Sequence, residues 1–264
     1  RFHRRRFFIE TARQAALVVH HRVVAKVHFV QGNAGCALRV VGQRQHVGAV
    51  GGKGHFSQRA DEASSRLARS RESQPDYAIQ LYLIESEALA NRQRLEESWK
   101  VIGQALEQFP GDTNLLYTRA MLAEKRGDLP GLERDLRNII EREPDNATAL
   151  NALGYTLADR TTRYDEARAL IEQAHKLNPE DPATLDSLGW VNYRMGNLEE
   201  AERHLRAALA KFPDHEVAAH LGEVLWAQGK QREARKVWAG ALEAQPDSPI
   251  LRSTIQRLTG SEKL

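Results

Sequence analysis

The chain has 264 residues, 41% of them hydrophobic, 28% charged and 6% aromatic, with a formal net charge of +3 at pH 7. Its one cysteine excludes an intramolecular disulfide, and no apolar run nears the roughly twenty residues that a membrane-spanning helix needs. The overall charge describes neither part of the molecule: residues 1–60 hold eleven Lys/Arg against the lone acid Glu10, a balance of +10, whereas 61–264 hold 27 against 34, a balance of −7.

Residues 1–60 also carry six of the ten histidines, seven glycines and the only cysteine. Their apolar residues (Leu17-Val18-Val19, Val23-Val24-Ala25, Val40-Val41) come in clumps split by His or Arg, so no helical stripe is sustained. His20, His21, His28, His46 and His55, with Cys36, match neither a helix pair nor a Cys-x-x-Cys element, and no metal site is expected. Gly51-Gly52-Lys53-Gly54 fails as a phosphate loop, because Val47 replaces its first Gly and Gly54 its Ser/Thr. The basic start Arg1–Arg6 is followed by too short an apolar core (Ala15–Val19), interrupted at His20-His21-Arg22, to make a secretory signal. As written, the chain is expected in the cytoplasm. The segment is expected to be disordered or non-native, as from a wrong reading frame. Its charge supplies an alternative function, binding of nucleic acid or an anionic surface.

In residues 61–78, Ala63, Leu67 and Pro75 fall at the offsets of a helix whose partner should lie at about 43–57. Three glycines in four residues oppose a helix there, so 61–78 reads as an orphan second helix of a truncated repeat. From residue 79 a pattern recurs every 33–35 residues. Its clearest copy is Leu188, Gly189, Gly196, Ala201, Leu205, Ala208 and Pro213. The next is Leu221, Gly222, Gly229, Ala234, Trp238, Ala241 and Pro246, and the one before is Leu153, Gly154, Ala167, Ile171, Ala174 and Pro179. Leu185 and Leu188 lie at helical spacing, Gly196-Asn197 breaks the helix, and Ala201, Leu205 and Ala208 form a second apolar stripe. Pro213 ends it. Each unit is a helical hairpin that cannot bury its own stripe, so the units must stack. Five copies span 79–248. Two are degenerate: Arg119-Ala120 and Glu85-Ser86 stand where Leu-Gly is expected. The third has one extra turn residue within Arg160–Tyr164. Residues 249–264 read as a capping helix, ended by Gly260, and a tail.

This period and these offsets resemble the tetratricopeptide repeat (TPR) family. The resemblance covers about two-thirds of the chain and implies an all-α, right-handed superhelix of about five hairpins plus a C-terminal capping helix. It further implies a concave groove, lined by first-helix positions, that holds a protein or peptide. Carried onto this chain, the partner-binding positions are Tyr117, Asn151, Tyr155, Asp159, Asp186, Trp190, Tyr193, Arg194, Glu223 and Trp226. Aromatic anchors among polar groups suit such a surface, and the acids would favour a ligand bearing Lys or Arg. Chaperone-binding TPR proteins clamp a terminal carboxylate with Lys and Asn. Here Leu83, Tyr117, Asn151 and Asp186 occupy the place of the first clamp Lys, so that subclass does not fit. Leu150–Asp159, Leu185–Arg194 and Asp214–Trp226 further resemble the C-terminal part of pseudomonad-type TPR lipoproteins. Those are periplasmic, outer-membrane-associated adaptors that bring substrates to a carboxy-terminal processing protease. On that resemblance the chain is a fragment with partial binding ability and with the protease and its substrates as partners. No Ser-His-Asp, Cys-His or paired-carboxylate arrangement is forced together by spacing, and His175, His204, His215 and His220 stand isolated. The chain is therefore read as a scaffold or adaptor. No enzyme activity, cofactor or small-molecule substrate is expected. A remaining alternative is an accessory domain active only when docked to an enzyme.

Overall fold

The computed structural model describes residues 64–261, and every regular element among them is helical. Residues 64–73 form α1, and a 3-10 turn at Pro75–Tyr77 leads into the series. The first hairpin is α2 (Ala78–Asn91) with α3 (Leu95–Gln108), and the second is α4 (Thr113–Arg126) with α5 (Leu129–Arg142). The third is α6 (Ala147–Arg160) with α7 (Tyr164–Leu177), and the fourth α8 (Pro182–Arg194) with α9 (Leu198–Lys211). The fifth, α10 (His215–Ala227) with α11 (Gln231–Ala244), is followed by α12 (Pro249–Thr259). From α2 on, the two helices of each hairpin pack on each other, each second helix packs on the first helix that follows it, and α12 lies against α10 and α11.

Sequence punctuation sets these boundaries. Pro110, Pro144, Pro179, Pro213 and Pro246 each stand just past a second helix, which a residue without N–H cannot extend. One or two residues later a short polar side chain caps the next first helix. Asp112 accepts from the Leu115 amide, Asn146 from Ala149, Asp181 from Thr184, Asp214 from Glu216 and Ser248 from Leu251. The third hairpin, with its extra turn residue, leaves α6 through an extended Thr161.

The core is built by small residues facing large ones. Gly154 faces Ile171, Gly189 faces Leu205, and Gly222 faces the indole of Trp238; a Cβ at any of the three would overlap its partner. Leu153, Leu188 and Leu221 beside them are buried, and Trp238 is fully buried. The two degenerate hairpins close the same seam with polar pairs. Ser86 meets Ser98 at 2.8 Å, and Arg119 donates to both oxygens of the buried Asp135 at 2.6 and 2.9 Å. Glu85 is paired with Arg71 of α1, which also lies over the Tyr82 ring.

On the outer side, Arg137 and Arg163 each bond Glu133 and Glu166, tying α5 to the start of α7. The Arg163 hydrogen bond holds the Glu133 carboxyl below its ordinary value, and the Arg137 hydrogen bond does the same for Glu166. Depressed carboxyls contribute stability that is present above their unfolded pKa and lost as pH falls through the folded one. The melting midpoint is therefore expected to fall as pH drops below about 4.5. In Arg137→Gln/Arg163→Gln, followed by circular dichroism, that fall should be shallower. These side chains are solvent-rich, so the effect is small.

Candidate functional site

The first helices α6, α8, α10 and α12 are consecutive neighbours along one side of the stack. Positions one repeat apart therefore form rows. Tyr117, Asn151 and Asp186 make one row; Met121, Tyr155, Trp190 and Glu223 make the next, one helical turn on. The rows, together a strip, lie on helices rather than loops; Asn151, Tyr155, Asp186, Trp190 and Glu223 are buried, and Tyr117, Asp159, Tyr193, Arg194 and Trp226 are partly exposed.

Its centre is aromatic. The Trp190 indole stacks on the His220 ring, with centroids 4.3 Å apart and planes at 25°, and meets Tyr193 at 5.2 Å. Tyr155 reaches the other side of His220 at 6.2 Å. Hydrogen bonds fix the surroundings. Asp186 Oδ1 lies 2.9 Å from His220 Nδ1. Tyr193 Oη donates to Glu223 Oε1 at 3.2 Å, and Glu223 also takes Arg257 Nη2 from the capping helix at 2.5 Å. Burial and the Glu223 carboxylate push the Tyr193 hydroxyl up to about 12, so it stays a proton donor at neutral pH. Arg194 donates to the Asp159 carbonyl at 3.0 Å and to Tyr164 Oη at 2.9 Å, bridging α8 to the third hairpin.

The structure thus gathers Tyr155, Asp186, Trp190, Tyr193 and Glu223 around His220, with Arg194 and Asp159 paired beside them. Trp226 stands apart: its ring lies 5.8 Å from that of the core Trp238 and under Arg235. Tyr117 sits on α4, in the row but away from the cluster. The expectation that the acids attract a basic ligand is amended. Asp186 is paired with His220, Glu223 with Arg257, and Asp159 with Arg160 at 3.0 Å. Two of the three, Glu223 and Asp159, thus carry an arginine partner within the chain. The isolation expected of the histidines is also corrected: His220 meets Asp186, His215 meets Ser248 at 3.0 Å, and His175 meets His204. Repeat offsets missed His220, Tyr164 and Arg257. With Leu188 and Gly189 matched by Leu221 and Gly222, 33 residues on, His220 falls at the place of Ser187, one residue past the row of Asp186, so the offsets gave no signal for it. Arg257 belongs to a helix outside the repeats, where no offset applies.

Three polar atoms along the strip have no hydrogen-bond partner: Tyr117 Oη, Asn151 Oδ1 and Trp190 Nε1, on α4, α6 and α8. All three atoms are buried, with essentially no accessible surface of their own, so they do not face a ligand in this structure. Among the described residues no group of three or more His, Cys, Asp or Glu side chains is gathered to hold a metal ion, and no helix is long and apolar enough to cross a membrane.

Stacked helical hairpins of this periodicity define an all-α, right-handed solenoid. The tetratricopeptide repeat model matches residues 117–182 and 187–249. The chain is a TPR protein, and repeats of this family generally mediate protein–protein interaction. It is 67% identical over 204 residues to the TPR repeat-containing protein PA4667 of Pseudomonas aeruginosa, covering 77% of this chain and 35% of that protein. It thus spans about a third of that relative's length. A shorter match, 33% identical over 96 residues, reaches the bacteriophage adsorption protein A of Escherichia coli, covering 36% of this chain and 10% of that one. Two solved structures share the fold. One is TTC0263, a thermophilic TPR protein of Thermus thermophilus, with a TM-score of 0.60 at 23% identity over 68% of this chain and 97% of that one. The other is a tetratricopeptide repeat protein of Parabacteroides merdae, with a TM-score of 0.65 at 15% identity over 77% and 80%.

Proposed function

We propose that this chain is a scaffold with no chemistry of its own, which holds an extended polypeptide along the strip of first helices. The observation that carries the reading is the row of aromatic and polar side chains on successive first helices, with Tyr155, Trp190 and Tyr193 gathered around His220. Aromatic side chains set among polar groups are what peptide-binding surfaces use as anchors. With Glu223 and Asp159 already paired to arginines, apolar and main-chain contacts, rather than basic side chains, select the ligand. The resemblance to envelope TPR lipoproteins narrows the partner to a carboxy-terminal processing protease or its substrates, with the chain acting as a periplasmic adaptor at the outer membrane.

The test is a pull-down from cytosolic and envelope extracts, comparing the wild-type chain with Trp190→Ala/Tyr193→Ala, both checked for helicity. Retention of a protease or wall hydrolase by the wild type, with at least about tenfold weaker retention by the folded variant, is the expected result. Equal retention by both removes the strip from the account. Retention of nucleic acid instead, lost on deleting residues 1–60, would favour the basic segment.

A further inference from the structure

Adjacent hairpins also meet along seams between their second helices, and the repeat register brings one residue from each helix to the same place. At the α5–α7 seam these residues are Ile140 and Leu170; at α9–α11 they are Leu209 and Val237, which line one cleft together. At the α7–α9 seam between them, the same two places are taken by His175 and His204. Their rings meet edge-on, with centroids 6.4 Å apart and planes at 87°. His175 Nδ1 has no hydrogen-bond partner, and only 13% of the His204 side chain is exposed. A titratable pair has replaced an aliphatic one at the middle joint of the stack.

The charges around the pair are few. On α9 itself, Arg203 Nη2 lies 2.9 Å from His204 Nε2, and Glu200 lies 3.8 Å from it. From α7, Arg168 acts on Glu200 but is bonded to Glu172. In the following turn Glu180 feels His175 but is paired with Lys211. The charged residues of α8, Asp186 and Arg194, are engaged with His220 and with Asp159 and Tyr164. On α10, His215 is bonded to Ser248 and Glu223 to Arg257, and Glu216 is also engaged. On α6, Asp159 and Arg160 pair with each other. Only Glu200 is placed to balance new positive charge at this joint, and Arg203 already bonds it.

We propose that the α7–α9 seam is a pH-sensitive joint: protonation of His204 crowds an imidazolium against the His175 ring and the Arg203 guanidinium in one half-buried contact and loosens the third hairpin against the fourth. The first helices of those hairpins carry Asn151, Tyr155, Asp186 and Trp190, so acid would also change the pitch of the binding strip; this last step alone rests on the function proposed above. Burial, with Arg203 adding, holds the His204 imidazole down to about 4, against an ordinary 6.5. A histidine lowered in this way contributes stability that is complete above its unfolded pKa. That stability is lost as pH falls from 6.5 towards 4, and no more is lost below.

Thermal unfolding of the full chain between pH 7.5 and 4.5 tests the joint against His175→Ile/His204→Leu, the pair that the α5–α7 seam carries. Across this window the wild-type midpoint is expected to fall further than the variant's, by about 4 °C or more. At pH 5, amides of α7 and α9 should exchange hydrogen faster in the wild type than in the variant. His204→Gln, polar but never charged, provides the same comparison if the aliphatic pair disturbs folding. Parallel curves for wild type and variants overturn the joint whatever the strip binds, because neither readout involves a ligand.

Discussion

Gly222→Ala is expected to destabilise the chain by about 2 kcal/mol, whereas Gly240→Ala, the same change one helix later, should stabilise it by up to about 1 kcal/mol. Both glycines sit inside helices, where alanine is intrinsically preferred. They differ in what a methyl group would meet. At Gly222 it would overlap the Trp238 indole, which is fully buried against α10 and has nowhere to rotate. Relief requires α10 and α11 to separate, and that separation passes to α12, which rests on both. At Gly240 nothing lies within 4 Å, so only the propensity gain remains. Urea denaturation of both variants checks the pair. Equal effects of one sign would mean that the hairpins are not held by the glycine-to-large contact. Gly189→Ala and Gly154→Ala should follow Gly222→Ala.

Breaking the polar seam of the second hairpin is the next large effect. Asp135 is 1% exposed and accepts both Arg119 hydrogen bonds. Arg119→Leu leaves a buried carboxylate whose remaining partner, Arg134, is mostly in solvent. Asp135→Leu strands a guanidinium. Each single change is expected to cost about 3 kcal/mol, the scale for orphaning one member of a buried pair. The double change puts Leu where the third hairpin has Leu153 and Leu170, and should come within about 1 kcal/mol of the wild type or exceed it. A coupling energy of several kcal/mol in this cycle, measured by urea denaturation, is the expected outcome. Additive single effects would show that the pair contributes little to the seam.

The fold was legible because it is periodic. Leu-Gly facing Ala-Leu-Ala, then Pro, repeats often enough that one copy corrects another, and the observed helices follow it hairpin by hairpin. Legibility weakened where a repeat kept its place but changed its chemistry. Arg119-Ala120 and Glu85-Ser86 read as lapses, yet they are one half of buried pairs whose other half, Asp135 or Arg71, lies on another helix. The candidate strip was legible as a set of positions and illegible as a set of contacts. Periodicity names Asp186 and Glu223 as facing one way. It cannot say that His220 bonds the first or that Arg257 pairs with the second, because those partners come from the next helix along. Trp226 shows the converse: a correct helical position whose ring turns to the core Trp238. Residues 1–60, including the basic segment and its histidines, and most of the tail lie outside the described residues.

Site-specific photo-crosslinking in envelope extract tests the central claim, that the first-helix strip holds a polypeptide. A photoreactive residue would replace Tyr117 or Tyr193 on the strip and, separately, Leu177 or Gly240 on the second helices. Crosslinks to the same partner polypeptide from both strip positions, absent from both second-helix positions and lost when Trp190→Ala is added, are predicted. Crosslinks from the second-helix positions alone, or strip crosslinks indifferent to Trp190, would contradict it.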